Sequence, residues 1–327
     1  MLKEALVQRL RATVFGLPIP LPGSGETAIR HLRLMNVARE DVSLARLAEA
    51  HWDATAILAE AGHRIAPDTL YGVWASERPS QSLSLKQEGT HFRLTGTKGF
   101  CSGAGIVDRA LITVRAPEQR LIDVDLRTND GAISYDSSDW KTSAFSETNT
   151  ASAEFQDVYI SSEDLLGETQ WYLLRPGFWH GACGPAACWA GGAIGLVDYA
   201  LLQKQEDPHT LAHLGAMYAS AWALYSIIES AGNEIDMTPA NGELAKMRAL
   251  AIRHLVEQSC TDILRRLSRA YGPHPLAMNE SIARRCQELD LYLRQSHAER
   301  DLEVLGKAAQ VPIHSFHNRG YWIYESL

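Results

Sequence analysis

The 327-residue chain has no block of Lys or Arg, no CxxC pair and no uninterrupted apolar run at its start, and each absence removes a class of function. With 31 Lys and Arg against 39 Asp and Glu, the formal net charge is -8, so the surface is not built to neutralise phosphate backbones and nucleic acid is not an expected partner. The five cysteines, Cys101, Cys183, Cys188, Cys260 and Cys286, are odd in number and scattered. They fit reduced thiols in a large intracellular protein rather than a disulfide framework. The opening MLKEALVQRLRATVFGLPIPLPG carries Lys3, Glu4, Arg9 and Arg11, and reads as neither signal peptide nor membrane span; the expected location is the cytoplasm. No GxSxG elbow occurs, and LPGSGET at Leu21 to Thr27 lacks the Walker lysine, so it reads as a turn leading into a helix.

What is present is ample for a large core: 46% of residues are hydrophobic, enough for two or three domains. From Glu40 to Gly62, Leu44, Leu47, Ala54 and Leu58 recur at helical spacing, with Asp41 as N-cap and Gly62 as stop. Between Leu70 and Ile160 the period becomes two, as in QSLSLKQEGTHFRLTG, and an antiparallel sheet domain is predicted. After Gly167 helical stripes return: Leu211, Leu214, Met217, Ala221, Leu224 and Ile228, then Leu244, Met247, Ala251 and Leu255, then Ile282, Cys286, Leu289 and Leu293. Between the first two stripes, GNEIDMTPANGE reads as one interhelical loop.

The stretch FRLTGTKGFCSGAG, Phe92 to Gly105, runs from alternating apolar residues into a glycine-rich turn. Its glycines alone are compatible with an ordinary β loop. The turn also holds an aromatic followed two residues later by a hydroxyl. Those residues are Phe100 and Ser102, and Lys98 on the same loop is expected to point to solvent. Two histidine groups have metal or nucleophile alternatives. His209 and His213 stand four apart without the Glu-His companion a helical metal site needs; they read as surface or interface residues, and no metal is expected. His180 with Cys183 and Cys188 admits a Cys/His pair or part of a zinc site, beside the simpler reading of small buried thiols.

Three more stretches accompany the turn. YGVWASERPS contains Ser76, Glu77 and Pro79; AGGAIGLVDYAL from Ala190 is a small-residue helix; RAYGPHPL, with Tyr271 and Gly272, precedes YLRQSHAERDLEVLG and its Arg300–Asp301 step. With the helix, sheet, helix order, they resemble the acyl-CoA dehydrogenases over roughly Pro20 to Leu305. The resemblance implies an α+β fold, mainly α: an N-terminal helical domain at 1–68, a middle antiparallel β domain at 69–166 and a C-terminal helical bundle at 167–327. It implies FAD between sheet and bundle, with Ser76, Glu77, Phe100, Ser102, Tyr271 and Gly272 at the cofactor. It also implies a homodimer or homotetramer, for which ACWAGGAIGLVDYALL and the Met217 to Ile228 stripe offer apolar helix faces.

The departures bear on the chemistry. The resembled enzymes remove a proton from an acyl thioester with a bundle glutamate. Counting from Arg300–Asp301 its place falls on Ala309, and counting from Ala190 the alternative falls on Pro185. Loss of a placed base costs on the order of a hundred- to ten-thousandfold in rate, which leaves His180 or another bundle residue as the catalytic candidate. The connection QKQEDPHTLAH is short, without the arm that reaches a partner's FAD in the resembled family. The leading expectation is a flavin-dependent oxidoreductase transferring hydride to FAD from a small-molecule substrate, with acyl-CoA in the candidate class. The alternatives are a flavin monooxygenase fed by a separate reductase, whose relatives also lack the glutamate, and a non-catalytic scaffold that retains the fold.

Overall fold

The computed structural model describes residues 2–115, 118–128, 131–205 and 207–310; residues 311–327 of the expected C-terminal bundle lie outside the described residues. Three helices come first: α1 (Leu2–Gly16), α2 (Thr27–Glu40) and α3 (Val42–Glu60). Asp41 stands in extended conformation between the last two, and its carboxylate accepts from the Leu44 N–H at 3.1 Å, the capping bond that a helix N-terminus needs. The α3 stripe buries Leu44, Leu47, Ala54 and Leu58 as its period requires, each large apolar side chain contributing about 1.5–3 kcal/mol of transfer free energy.

Eight strands follow: β1 (Tyr71–Trp74), β2 (Leu83–Glu88), β3 (His91–Cys101), β4 (Arg109–Val114), β5 (Arg120–Asp125), β6 (Ile133–Asp136), β7 (Ala151–Ser161) and β8 (Leu165–Leu166). They form two four-stranded sheets, in orders β1-β4-β5-β8 and β2-β3-β7-β6. Among the described residues the sheet region is antiparallel except for one pair: β1 runs parallel to β4, Tyr71 opposite Arg109. A parallel pair needs a crossover, and here the β2–β3 hairpin serves, leaving the first sheet and joining the second before the chain returns. Period-two patterning carries no direction, so the parallel pair is invisible to it.

The helical remainder comprises α4 (Trp171–Leu174), α5 (Pro176–Gly181), α6 (Cys183–Leu201), α7 (Pro208–Met237), α8 (Gly242–Tyr271), α9 (His274–Met278), α10 (Glu280–Leu293) and α11 (Glu299–Ala309). Helix α6 is almost wholly buried, and its small residues let α2 approach closely: a β-carbon on Gly191 would collide with the Met35 carbonyl of α2. The expected loop at Asn233 is helix instead. The Asp236 carboxylate accepts from the Gly25 and Thr27 amides and the Thr27 hydroxyl, so it secures the start of α2 from within α7, and only 238–241 remain as the connection. The α8 stripe is displaced in part, Met247 being buried as read. Ala249, Ile252, Val256, Cys260 and Ile263 face inward with Arg248 and Arg253, while Leu255 is exposed, because two charged residues occupy the core face and an apolar count passes over them. By length and composition α7 could cross a membrane, but Met217, Ala221, Leu224 and Ile228 pack into the bundle.

Candidate functional site

The glycine-rich turn owes its shape to a β-bulge. Between Lys98 opposite Ala153 and Cys101 opposite Ala151, β3 carries one residue more than β7, and Phe100 within it has φ 58°. A bulge re-aims the side chains around it. Cys101 turns inward and is fully buried, while Phe100 is left 49% exposed on the wall of a cleft. The Ser102 hydroxyl meets the Arg46 guanidinium of α3 at 3.1 Å and the Thr150 hydroxyl at 3.1 Å, and the Ser102 carbonyl accepts from the Trp74 indole at 3.0 Å. Gly103, at φ 79°, donates to the Thr148 carbonyl at 2.8 Å and closes the turn.

Lys98 does not point to solvent. Its side chain is 2% exposed, and its ammonium donates to Glu77 at 2.8 Å, to the Thr113 carbonyl at 3.0 Å and to the Thr113 hydroxyl at 2.9 Å. The strand alternation places it inward, and three acceptors stabilise the buried charge. Burial pulls the Lys98 pKa down, against the Glu77 carboxylate.

The cleft lies between sheet, α3 and bundle and has two lobes sharing Arg46, Ser76, Phe100, Arg253, Gln295 and His297. The larger, about 670 Å³, continues past Glu77, Trp140, Thr150, Tyr292 and Arg294. The smaller, about 330 Å³, continues past Glu49, Asp53, Ser102, Tyr172, Trp179 and Pro185. Both volumes fall in the ordinary range for small-molecule sites. Arg46 is fixed over the Phe145 and Tyr292 rings, 5.5 and 5.0 Å from their centres. Arg253 is held by the Ala182 carbonyl at 3.0 Å and the Gln295 carbonyl at 2.7 Å, above the Trp189 ring at 4.6 Å. These contacts hold two cations in place without neutralising them.

Opposite the cations stand two carboxyls one helical turn apart on α3. Burial raises the pKa of Glu49, the neighbouring Asp53 charge adds to that, and Arg46, Arg30 and Arg253 oppose it. Asp53 is raised by burial in the same sense. Glycines on the facing helices give them room: a β-carbon at Gly181 would stand 2.7 Å from an Asp53 oxygen, and one at Gly184 would stand 2.9 Å from a Glu49 oxygen. Their sequence signal was a pair of acids at spacing four inside an apolar helix, LARLAEAHWDATAIL. Arg46 and Arg253 had no such signal, since long-range folding alone brings them to the turn.

The expected site residues divide. Ser76, Glu77, Phe100 and Ser102 all line the cleft, although Glu77 is occupied by Lys98 and Thr113. Tyr271 and Gly272 end α8 away from it; the Tyr271 hydroxyl donates to the Ala200 carbonyl at 3.0 Å. His180 lines an adjoining cavity of about 400 Å³ instead, one that shares Asp53 and Arg175 with the smaller lobe. Its Nε2 meets the Pro239 carbonyl at 2.8 Å, its Nδ1 has no partner among the described residues, and burial lowers its pKa. Pro185 is on the cleft wall and Ala309 is exposed on α11. Cys183 is pushed up to about 11 by burial and Cys188 is raised likewise, which suits inert core thiols. Among the described residues no three His, Cys, Asp or Glu side chains converge on a metal position.

No family model matches the chain and no curated protein sequence matches it. Solved structures do match. The structure of KijD3 with FMN and dTDP-3-amino-2,3,6-trideoxy-4-keto-3-methyl-D-glucose superposes with a TM-score of 0.77 at 15% identity, over 94% of this chain and 85% of that one. Dibenzothiophene monooxygenase (TdsC) from Paenibacillus sp. A11-2 gives 0.76 at 15% identity, over 94% and 96%. Butyryl-CoA dehydrogenase from Megasphaera elsdenii gives 0.73 at 16% identity, over 94% and 89%. With helices before and after a two-sheet β region, the chain has the acyl-CoA dehydrogenase fold.

Proposed function

We propose that the chain is a flavin-dependent oxidoreductase of the oxygen-using kind, a monooxygenase that receives reduced FMN from a separate reductase and acts on a small organic substrate. The observation that carries this reading is the bulge that turns Phe100 out over the cleft beside a Ser102 hydroxyl fixed by Arg46. A flavin fits those residues: the exposed ring offers a flat apolar contact, the hydroxyl a hydrogen bond, and Arg46 and Arg253 positive charge for a phosphate. When bound, it would supply two-electron redox chemistry.

The chain's own part is to bind, orient and shield. Phe100 and Ser102 hold the ring plane and edge, Ser76 and Glu77 border the same wall, and Tyr172 and Trp179 line the smaller lobe with apolar surface. The oxygen-using branch is favoured over acyl-CoA oxidation because Pro185 and Ala309 stand where a bundle carboxylate would be needed. FMN is favoured over FAD because Tyr271 and Gly272 lie off the cleft, and KijD3 and TdsC are both seen with FMN. We take the domains as 1–68, 69–166 and 167–327, in a cytoplasmic homodimer or homotetramer. Exposed Leu211, Tyr218 and Trp222 on one face of α7 support self-association.

Titration of the purified protein with FMN and FAD tests the reading, with reoxidation of reduced FMN in aerated buffer followed by absorbance. FMN should bind more tightly than FAD, and the protein should change the reoxidation rate. Turnover should be negligible on butyryl- or octanoyl-CoA. No flavin binding up to about a millimolar, equivalent to only about 4 kcal/mol, would remove the enzyme reading and leave the scaffold.

A further inference from the structure

We propose that Glu49 is the proton donor of the cleft and that Asp53, one turn along α3, is the group through which its proton is replaced. This rests on the oxygen-using reading above. Glu49 lines the smaller lobe together with Phe100, Ser102 and Pro185, so it reaches the space that a substrate would share with the turn. Gly184 leaves that position open to it, one residue from Pro185, whose ring offers no acid or base. No hydrogen bond from another described residue occupies either carboxyl, while the surrounding arginines are engaged elsewhere: Arg253 by two carbonyls, Arg175 by Glu60, and Arg30 by the Pro20 and Trp52 carbonyls. Two buried, unpaired carboxyls one helical turn apart in one lobe do not both ionise readily, so the pair retains a proton at neutral pH.

The groups facing Glu49 are Arg46 and Asp53 from its own helix, Arg30 from α2, Tyr172 from α4, Arg253 from α8, Cys188 from α6 and Tyr292 from α10. Those facing Asp53 include Arg30, Arg175, Glu60 and Tyr172. The three cations weaken proton retention without abolishing it, because none donates to Glu49.

Monooxygenation takes two electrons from the reduced flavin, two from the substrate and two protons; one oxygen atom enters the product and the other leaves as water. In the proposed step the O–O bond of the reduced dioxygen breaks, with one oxygen atom bonding to the substrate. The O–H bond of the Glu49 carboxyl breaks as an O–H bond forms on the other oxygen, which leaves as water with a second proton from the reduced flavin, and Glu49 is left as a carboxylate. Asp53 lines both the smaller lobe and the adjoining cavity with His180. It is therefore placed to pass a proton from that second cavity to Glu49. Without substrate, the same two flavin electrons and two protons convert dioxygen to hydrogen peroxide, which gives a reaction that can be measured now.

Infrared difference spectra between neutral and alkaline pH, on the protein without flavin, should show the carbonyl stretch of a protonated carboxyl at pH 7. The band should disappear in Glu49→Gln and shift in Asp53→Asn. Glu49→Gln should bind FMN within about threefold of wild type yet slow peroxide-forming reoxidation of bound reduced FMN by on the order of a hundredfold or more. Absence of the band in wild type, its persistence in Glu49→Gln, or wild-type reoxidation by that variant would overturn the proposal. The wild-type band needs no variant that folds, and it decides the protonation state even if FMN fails to bind. Failure of FMN binding alone removes the oxidoreductase reading.

Discussion

The Arg46 guanidinium donates a 3.1 Å hydrogen bond to the Ser102 hydroxyl from a perch 5.0 Å from the centre of the Tyr292 ring. This one contact ties the N-terminal helices, the β turn and the bundle to the same point of the cleft. Arg46→Met keeps much of the stem packing and removes the donor and the charge. FMN affinity should fall by about 1–2 kcal/mol, roughly five- to thirtyfold, as measured by absorbance titration. Ser102→Ala should cost about 1 kcal/mol and shift the flavin midpoint potential more than the affinity. An unchanged potential would show that Ser102 does not meet the redox-active edge.

Lys98 and Glu77 form the ion pair beneath the turn. Removing one partner leaves the other charge stranded, and buried pairs broken this way lose about 3–5 kcal/mol. Lys98→Met should fall near the low end, about 3 kcal/mol by urea denaturation, because Glu77 keeps 24% of its side-chain surface in solvent, the Arg115 guanidinium at 3.8 Å and the Thr113 hydroxyl at 3.0 Å. Adding Glu77→Gln should recover part of that loss. A double variant as unstable as the sum of the two singles would mean that the residues act independently.

Three buried histidines, His31, His51 and His180, should make the fold acid-sensitive. Burial lowers His31 and His51 to about 4 each, and His51 Nδ1 accepts the Tyr71 N–H at 3.1 Å, which a protonated Nδ1 cannot do. The folded rings stay neutral while unfolded ones take a proton near pH 6.5. The contribution of His31 and His51 is therefore complete above pH 6.5 and is lost as pH falls to about 4, roughly 3 kcal/mol per ring. Glu49 acts with the opposite sign: its raised pKa lowers stability as pH rises above the unfolded value of 4.5. The difference between wild type and His51→Gln isolates the histidine. Urea midpoints at pH 7.5 and 5 should converge between the two proteins if His51 supplies the acid sensitivity, and stay parallel if it does not.

The helix, sheet, helix order was legible because it rests on period: Leu44, Leu47 and Leu58 at helical spacing, then Leu83, Leu85 and Leu94 at alternate positions, are all buried as read. Direction and inserted residues leave no such trace. The parallel β1–β4 pair depends on which sheet the chain visits in between, and although alternation turns Lys98 inward, the Glu77 partner that stabilises its charge there stands 21 positions away. Phe100 and Ser102 could be singled out by residue type and spacing. Glu49 and Asp53 had only their spacing of four inside an apolar helix and Arg46 not even that, and neither says that α3 turns them toward the cleft.

Phe100 offers the sharpest separation of binding from stability. It is a non-glycine residue at φ 58°, a left-handed conformation that costs an L side chain roughly 1 kcal/mol, and its ring is half exposed, so it returns little of that cost through burial. On the proposed reading, the left-handed Phe100 is offset by the contact its ring makes with the flavin in the cleft. Phe100→Ala should lower FMN affinity by about 1–3 kcal/mol while leaving the urea midpoint near wild type. Phe100→Gly should lose similar affinity and relieve the backbone, raising folding stability by up to about 1 kcal/mol. Variants that lose stability and keep FMN binding would place the ring's role in the fold and not in the cofactor.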